Sequence, residues 1–305
     1  MLISRRNFVV AGSAITAAPA LALGPDAAER ILEYRDIQAA GLPVQRLSIW
    51  LPAGYHAATT RYRVLYMHDA QNLFDPALSN FNKVWAADRA MKDHAAKRSE
   101  DPWIIVGIWS PGIDRYRQYL PLPAYNMADG TLRAAMDDYA QGPIVSHRYL
   151  DWITQALKPW VDSQFRTKPD RDSTAIIGSS MGGLISLYAF LEHRDVFGRA
   201  GCVSTHWPAI APQNVDSTDP ELLAIWRSML AEKLGEPDGR KLWFDLGTAT
   251  LDAYYPAYQA QIDAFMASTN WRRGHDWESR TYPGAEHEEN AWAKRLPDVF
   301  DWVLG

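Results

Sequence analysis

Ser173-Thr174-Ala175-Ile176-Ile177-Gly178-Ser179-Ser180-Met181-Gly182-Gly183 is the stretch on which the reading of this chain turns. A β-rich run closes at Ile177, the pattern Gly-x-Ser-x-Gly runs from Gly178 to Gly182, and a helical run, Leu184–Glu192, follows. Strand, tight turn and helix in that order are what a nucleophile elbow requires. The glycines allow a sharp reversal that holds the serine in a strained conformation and lets neighbouring backbone approach without a Cβ clash. Ser180 then stands at a helix N-terminus, where the dipole favours developing negative charge. The blander alternative is a Gly-rich strand-to-helix turn of an unrelated fold.

Outward from the elbow, short β-rich runs recur between longer helical stretches: Gln45–Leu51, Tyr62–Met67, Trp103–Ile108, Thr174–Ile177, Gly201–Ser204, Lys241–Leu246 and Trp277–Tyr282. Alternation of this kind implies right-handed crossovers and a mostly parallel sheet with helices on both faces. The first two runs are close enough to pair as an antiparallel meander, with Pro52-Ala53-Gly54-Tyr55 as the turn. Residues 207–240 stand out because Pro, Asn, Asp, Ser and Thr cluster before Asp219-Pro220-Glu221, which offers an N-cap, proline at N1 and an early acid. The segment reads as a connecting helix or a small lid. No internal repeat or low-complexity tract appears.

The 305 residues, 47% of them hydrophobic, can bury one large core, so residues 23–305 read as one α/β domain. A formal net charge of -5 gives no broad basic field, which argues against nucleic acid as a partner. At the N-terminus, Arg5-Arg6 precedes an apolar run that ends in Ala20-Leu21-Ala22. Residues 1–22 therefore resemble a twin-arginine export signal, with a periplasmic or secreted mature protein as the expectation. The run is shorter than the roughly 20 apolar residues a membrane span needs and contains Gly12, Ser13, Thr16 and Pro19. The single cysteine, Cys202, cannot form an internal bridge and reads as a small buried hydrophobe.

A serine hydroxyl is a poor nucleophile until a neighbouring base accepts its proton. His287 fits that role: it follows the run Trp277–Tyr282 through Pro283-Gly284-Ala285 and precedes a helix beginning near Glu288. His193, at the end of the nucleophile helix, His275, in a polar turn, and His206, directly after a strand, are weaker rivals. The acid that orients the histidine belongs after the run Lys241–Leu246, where Asp252 is the first carboxylate of the following loop. Asp245, inside the strand, is its competitor. Acyl transfer also needs backbone N–H donors for the oxyanion. Met181 supplies one; Gln71 in His68-Asp69-Ala70-Gln71-Asn72 is the choice for the second, with Ala70 next.

With these residues in place, the chain from about Val44 to its C-terminus resembles the esterase D-like family of the α/β-hydrolase superfamily. That family includes siderophore esterases, feruloyl and acetylxylan esterases, S-formylglutathione hydrolases and mycolyltransferases. The likeness lies in Gly178–Gly183 with methionine after the serine, in the 68–75 segment, in Ile113–Pro121 with Arg115 and Tyr119, and in the turn from Pro283 to His287. It implies the α/β-hydrolase three-layer sandwich and a Ser-Asp-His triad of Ser180, Asp252 and His287, with no metal and no cofactor. In the mycolyltransferase branch, the position matching Gln71 supplies the second oxyanion N–H. Two departures stand out: Ala70 where many relatives have glycine, and Gln118 where glutamate is frequent beside Tyr119.

The expected activity is a serine esterase acting on a small-molecule ester. An acyltransferase would use the same groups, and an inactive binding protein would be expected to lack a triad member. No H-x-H or H-E-x-x-H spacing supports a metal hydrolase. Candidate substrate contacts are Asp69, Arg115, Trp109, His206 and Trp207, the last three because they follow strand ends. For Arg115 and Arg117 a solvated face competes with recognition of an acidic substrate.

Overall fold

Alternation of large apolar residues along each central strand builds a sheet buried on both faces. Its strands are β3 (Arg30–Ile37), β4 (Gln45–Leu51), β5 (Arg63–His68), β6 (Trp103–Ile108), β7 (Thr174–Ser179), β8 (Arg199–Val203), β9 (Lys241–Leu246) and β10 (Trp277–Thr281). They lie in the order β10-β9-β8-β7-β5-β6-β4-β3. From β10 to β6 every pairing is parallel, and β4 and β3 close the other edge antiparallel. The computed structural model describes residues 6–10, 13–17, 28–98, 102–212 and 218–305. Most of the expected export signal, residues 1–22, lies outside the described residues; within it β1 (Arg6–Val10) and β2 (Ser13–Ala17) pair antiparallel.

The period-two pattern sends Val64, Tyr66, Ile104, Val106 and Ile176 to one face and Leu65, Met67, Trp103, Ile105 and Ile177 to the other. The second face is covered by α1 (Ala87–Lys97) and α10 (Glu289–Val303), through Met91, Trp292, Leu296, Val299 and Phe300. On the first face lie α5 (Ser146–Trp152) and α6 (Lys158–Gln164), joined by one π-helical turn, with α7 (Met181–Glu192), α8 (Pro220–Lys233) and α9 (Pro256–Ala267). Short helices α2 (Arg115–Tyr119), α3 (Leu122–Met127) and α4 (Gly130–Ala140) complete that layer. The apolar area removed from water on both faces is the main favourable term in the fold. Among the described residues, no helix is long and apolar enough to cross a membrane.

The expected pairing of the first two runs does not occur. β4 pairs with β6 and with β3, and β5 lies one strand further in. The link from β5 to β6 passes through α1 as a parallel crossover, which places β6 between them. β3 itself escaped the sequence reading because Glu33, Arg35 and Asp36 dilute its apolar pattern, as an edge strand with an outward face permits. Cys202 is buried as expected, and burial raises its thiol pKa well above the ordinary value.

Within 207–240, α8 buries Leu222, Ile225, Trp226, Met229 and Leu230 against the first-face core. Residues 213–217 lie outside the described residues. Asp219 caps α8 as its sequence position suggests, accepting hydrogen bonds from the amides of Glu221 (2.9 Å) and Leu222 (3.1 Å). Replacing Asp219 with Ala removes both and is expected to cost about 1 kcal/mol. A urea titration should show the midpoint falling at unchanged slope, with Asp219→Asn close to the parent.

Candidate active site

The turn between β7 and α7 places Ser180 at φ 58°, ψ −125°, a conformation that L residues adopt at a cost of about 1–3 kcal/mol. The surroundings hold it there. Its amide donates to the Val203 carbonyl (3.0 Å), and its own carbonyl accepts from Gly183 (2.9 Å), Leu184 (3.3 Å) and His206 (3.2 Å). The elbow closes so tightly that a Cβ on Gly178 would sit 2.5 Å from the Gly182 carbonyl oxygen. A Cβ on Gly182 would meet its nearest neighbour, Asp69 Oδ2, at 3.3 Å. Met181 is the first residue of α7, so its amide has no acceptor within the helix.

His287 lies on the loop between β10 and α10, and its Nδ1 is 2.5 Å from Asp252 Oδ1. Two loops that are far apart in sequence are laced together to achieve this. The amides of Thr248 and Ala249 donate to the Ala285 carbonyl, Gly284 donates to Thr248 Oγ1 (2.7 Å), and His287 donates to Thr250 Oγ1 (2.8 Å). Gly247 is required at the crossing, because a Cβ there would lie 2.1 Å from the Ala285 oxygen.

Asp252 has no exposed surface, and both of its carboxylate oxygens accept hydrogen bonds. Its Oδ2 accepts from Ser204 Oγ (2.5 Å) and the Gly247 amide (2.5 Å). Burial alone would raise this carboxyl's pKa; the hydrogen bond and charge of His287, with those from Ser204 and Gly247, outweigh it and hold it below the usual range. Asp245, the competing acid, faces elsewhere: it accepts from Trp243 Nε1 (2.8 Å) and the Ser204 amide (3.1 Å) and pairs with Arg295 (3.0 Å). Burial leaves its carboxyl raised.

Ser180 and His287 share a cleft of about 720 Å³ with Asp69, Gln71, Trp109 and Arg115 among its walls. Asp69, left-handed at φ 58°, starts a short 3-10 turn, Ala70–Asn72, so the amides of Ala70 and Gln71 have no acceptor within the turn. Asp69 and Arg115 form a bidentate pair, 2.8 Å at both contacts, and Gln71 Oε1 accepts from the Ser110 amide (3.1 Å). Ala70 fits in this turn because Gly107 opposite it has no side chain: a Cβ on Gly107 would approach Ala70 Cβ to 2.9 Å. Trp109 is anchored by Ser48 (2.7 Å) and covered on one face by Arg46. Arg117 is taken up by Asp114 (2.5 Å).

Two expected substrate contacts are not brought to the cleft. Trp207 is fully buried, donates to Gln259 Oε1 (2.9 Å) and packs on Trp226 and Phe244, so it belongs to the core. His206 does not line the cleft either; its ring turns to the Tyr255 hydroxyl (2.7 Å). The sequence reading also missed groups packed around His287 and Asp252. Trp292 stands perpendicular to the His287 ring at 5.0 Å and donates to Ser204 Oγ (3.1 Å), and Arg295 also donates to that oxygen. One signal was available: Arg295 falls on the buried stripe of α10 formed by Trp292, Leu296, Val299 and Phe300. A guanidinium on such a stripe needs buried partners.

Strand order, the strained serine turn and helices on both faces define an α/β-hydrolase fold. The chain belongs to the family described as "Putative esterase", whose model matches residues 45–303, and it is a carboxylic ester hydrolase. It is 23% identical over 200 residues to the uncharacterized protein YbbA of Bacillus subtilis (strain 168), an alignment covering 65% of this chain and 70% of that one. Among solved structures it resembles an IroE-like serine hydrolase from Shewanella oneidensis at TM-score 0.62 and 18% identity, covering 90% of this chain and 79% of that one. A feruloyl esterase module from Clostridium thermocellum, in complex with sinapinate, aligns at TM-score 0.57 and 17% identity over 92% of each chain. At these identities the shared feature is the fold.

Two outcomes follow from the site's packing. Gly178→Ala should cost on the order of 3 kcal/mol, because its contact is rigid backbone, whereas Gly182→Ala should stay within about 1 kcal/mol, since helix propensity offsets a milder crowding. Paired chemical-unfolding curves would check the order. The second concerns His68, buried beneath the turn with Nδ1 2.9 Å from the Tyr149 hydroxyl. Burial pushes its pKa down to about 4, with Asp69 and Arg115 acting in opposite senses. Between that value and about 6.5 the unfolded chain holds the extra proton, so stability is full above this window and lost as pH falls through it. Linkage makes the His68 share on the order of 2 kcal/mol between pH 7 and 5. Unfolding free energies of His68→Gln should fall by that much less than the parent's over the same interval.

Proposed function

We propose that this esterase works through a Ser180 acyl-enzyme, with His287 as general base and acid and Asp252 as the group that orients it. The observation that carries this reading is the 2.5 Å contact between Asp252 and His287 on a loop that opens, with the strained Ser180, onto one cleft. With its Nδ1 proton held by Asp252, the neutral imidazole presents Nε2 as the acceptor. His287 takes the Ser180 proton as the hydroxyl oxygen attacks the acyl carbon. Charge moves to the carbonyl oxygen, where the amides of Met181 and Gln71 are the proposed donors. Collapse expels the alcohol, protonated by His287, and water activated by the same base releases the acid.

Asp252 balances the imidazolium that forms in both steps. Keeping its carboxyl ionised inside a dry site takes the donors Ser204 and Gly247, which is why a buried acid can serve here. The cleft walls combine the Asp69–Arg115 pair with Trp109, a polar floor beside an aromatic wall suited to a small ester with both characters.

The test is turnover of a p-nitrophenyl ester series, acetyl to octanoyl, by the parent and by Ser180→Ala, Asp252→Asn and Asp245→Asn. Ser180→Ala should lose roughly 10⁴-fold or more in kcat and all labelling by a fluorophosphonate. Asp252→Asn should lose about 10³–10⁴-fold through the wrong imidazole tautomer, and Asp245→Asn clearly less. Parent-like turnover by Ser180→Ala would sink the mechanism, and a larger loss from Asp245→Asn would reassign the acid.

A further inference from the structure

Resting on the triad proposed above, we infer that Tyr255, held by His206, is a positioning residue that fixes the His287 ring relative to the Ser180 turn. Tyr255 is fully buried and follows the Asp252 turn directly, its amide donating to the Asp252 carbonyl at 3.0 Å. Its ring stands at 81° to the His287 ring with centroids 5.7 Å apart. Trp292 abuts His287 at 84° and 5.0 Å. His287 is thus confined by two perpendicular aromatic rings, while Asp252 alone holds it by hydrogen bond at Nδ1.

The Tyr255 hydroxyl is the part that packing does not require. It lies 2.7 Å from His206 Nδ1, and the His206 amide in turn donates to the Ser180 carbonyl at 3.2 Å. Burial, with the neighbouring His287 and Arg115 charges adding to it, pushes the His206 imidazole down to about 3, so it is neutral in the working range. One path results: Ser180 carbonyl, His206 amide and ring, Tyr255 hydroxyl, and the Tyr255 ring against His287. His206, absent from the cleft walls, gains a role there as the anchor of Tyr255.

Steady-state kinetics on p-nitrophenyl acetate with Tyr255→Phe, His206→Gln and the double variant test the inference, alongside Ser180→Ala and thermal midpoints. Tyr255→Phe keeps the ring against His287 and deletes only the hydroxyl. Its kcat should fall about 10–100-fold with KM within about twofold, at a thermal midpoint close to the parent's. His206→Gln should show the same kcat–KM split, and the double variant should be no slower than the worse single variant, because both break one path. Parent-like kcat in Tyr255→Phe, or losses that multiply in the double variant, would overturn the positioning role while an inactive Ser180→Ala leaves the triad standing. A parent whose turnover Ser180→Ala retains would overturn both.

Discussion

Asp252 is a carboxylate with no exposed surface, and much of the architecture around the cleft can be read as the means of keeping it charged. An unpaired buried charge would cost several kcal/mol and would be relieved by protonation. Here His287, Ser204 and Gly247 each point a donor at it, and Arg295 stands 3.8 Å away. These four groups come from different parts of the chain: the loop after β10, the end of β8, the end of β9, and α10. The parallel order β10-β9-β8-β7 brings those strand ends to one edge of the sheet. Serving one carboxylate therefore fixes the relative positions of four segments.

Strain at Ser180 is the counterpart of that satisfied carboxylate. A left-handed φ at a non-glycine residue persists only where neighbours over-determine it. β7 is buried along its length at the middle of the sheet, and α7 is buried on almost every side. The turn between two such rigid elements has no freedom to relax. The same rigidity fixes the direction of the Met181 amide, the proposed oxyanion donor, and a donor fixed in this way needs no reorganisation during reaction.

Arg115 and Asp69 tie the second wall of the cleft to the elbow. Their bidentate pair joins α2 to the turn after β5, and Arg115 also reaches the Ser179 carbonyl (3.5 Å). Asn72, the residue after Gln71, donates to Glu289 at the start of α10 (2.9 Å). The turn carrying Gln71 is thereby fixed to the helix that follows His287. Groups proposed to meet at one substrate carbonyl are linked by side chains outside the triad.

Local chemistry was legible without coordinates. The glycines around Ser180, the strand and helix that flank it, the cap at Asp219 and most strand spans depend on steric and hydrogen-bonding preferences of neighbouring residues, which a linear sequence displays directly. β3 was not legible, since an edge strand with charged outward positions has a diluted period, nor was the insertion of β6 between β4 and β5, because strand order is set by crossovers that join distant segments. The same limit applied at the site. Asp252 and Asp245 are seven residues apart and both buried; which one meets His287 depends on how the β9 and β10 loops lace together. Trp207 and His206 follow a strand end as cleft residues do, yet packing against Trp226 and Tyr255 draws them away. The sequence by itself determined the elbow, the layered α/β plan and the residue types available for acyl chemistry. Only the tertiary structure decided which of them touch, because contact across a sheet is fixed by the burial and hydrogen bonding of segments far apart in the chain.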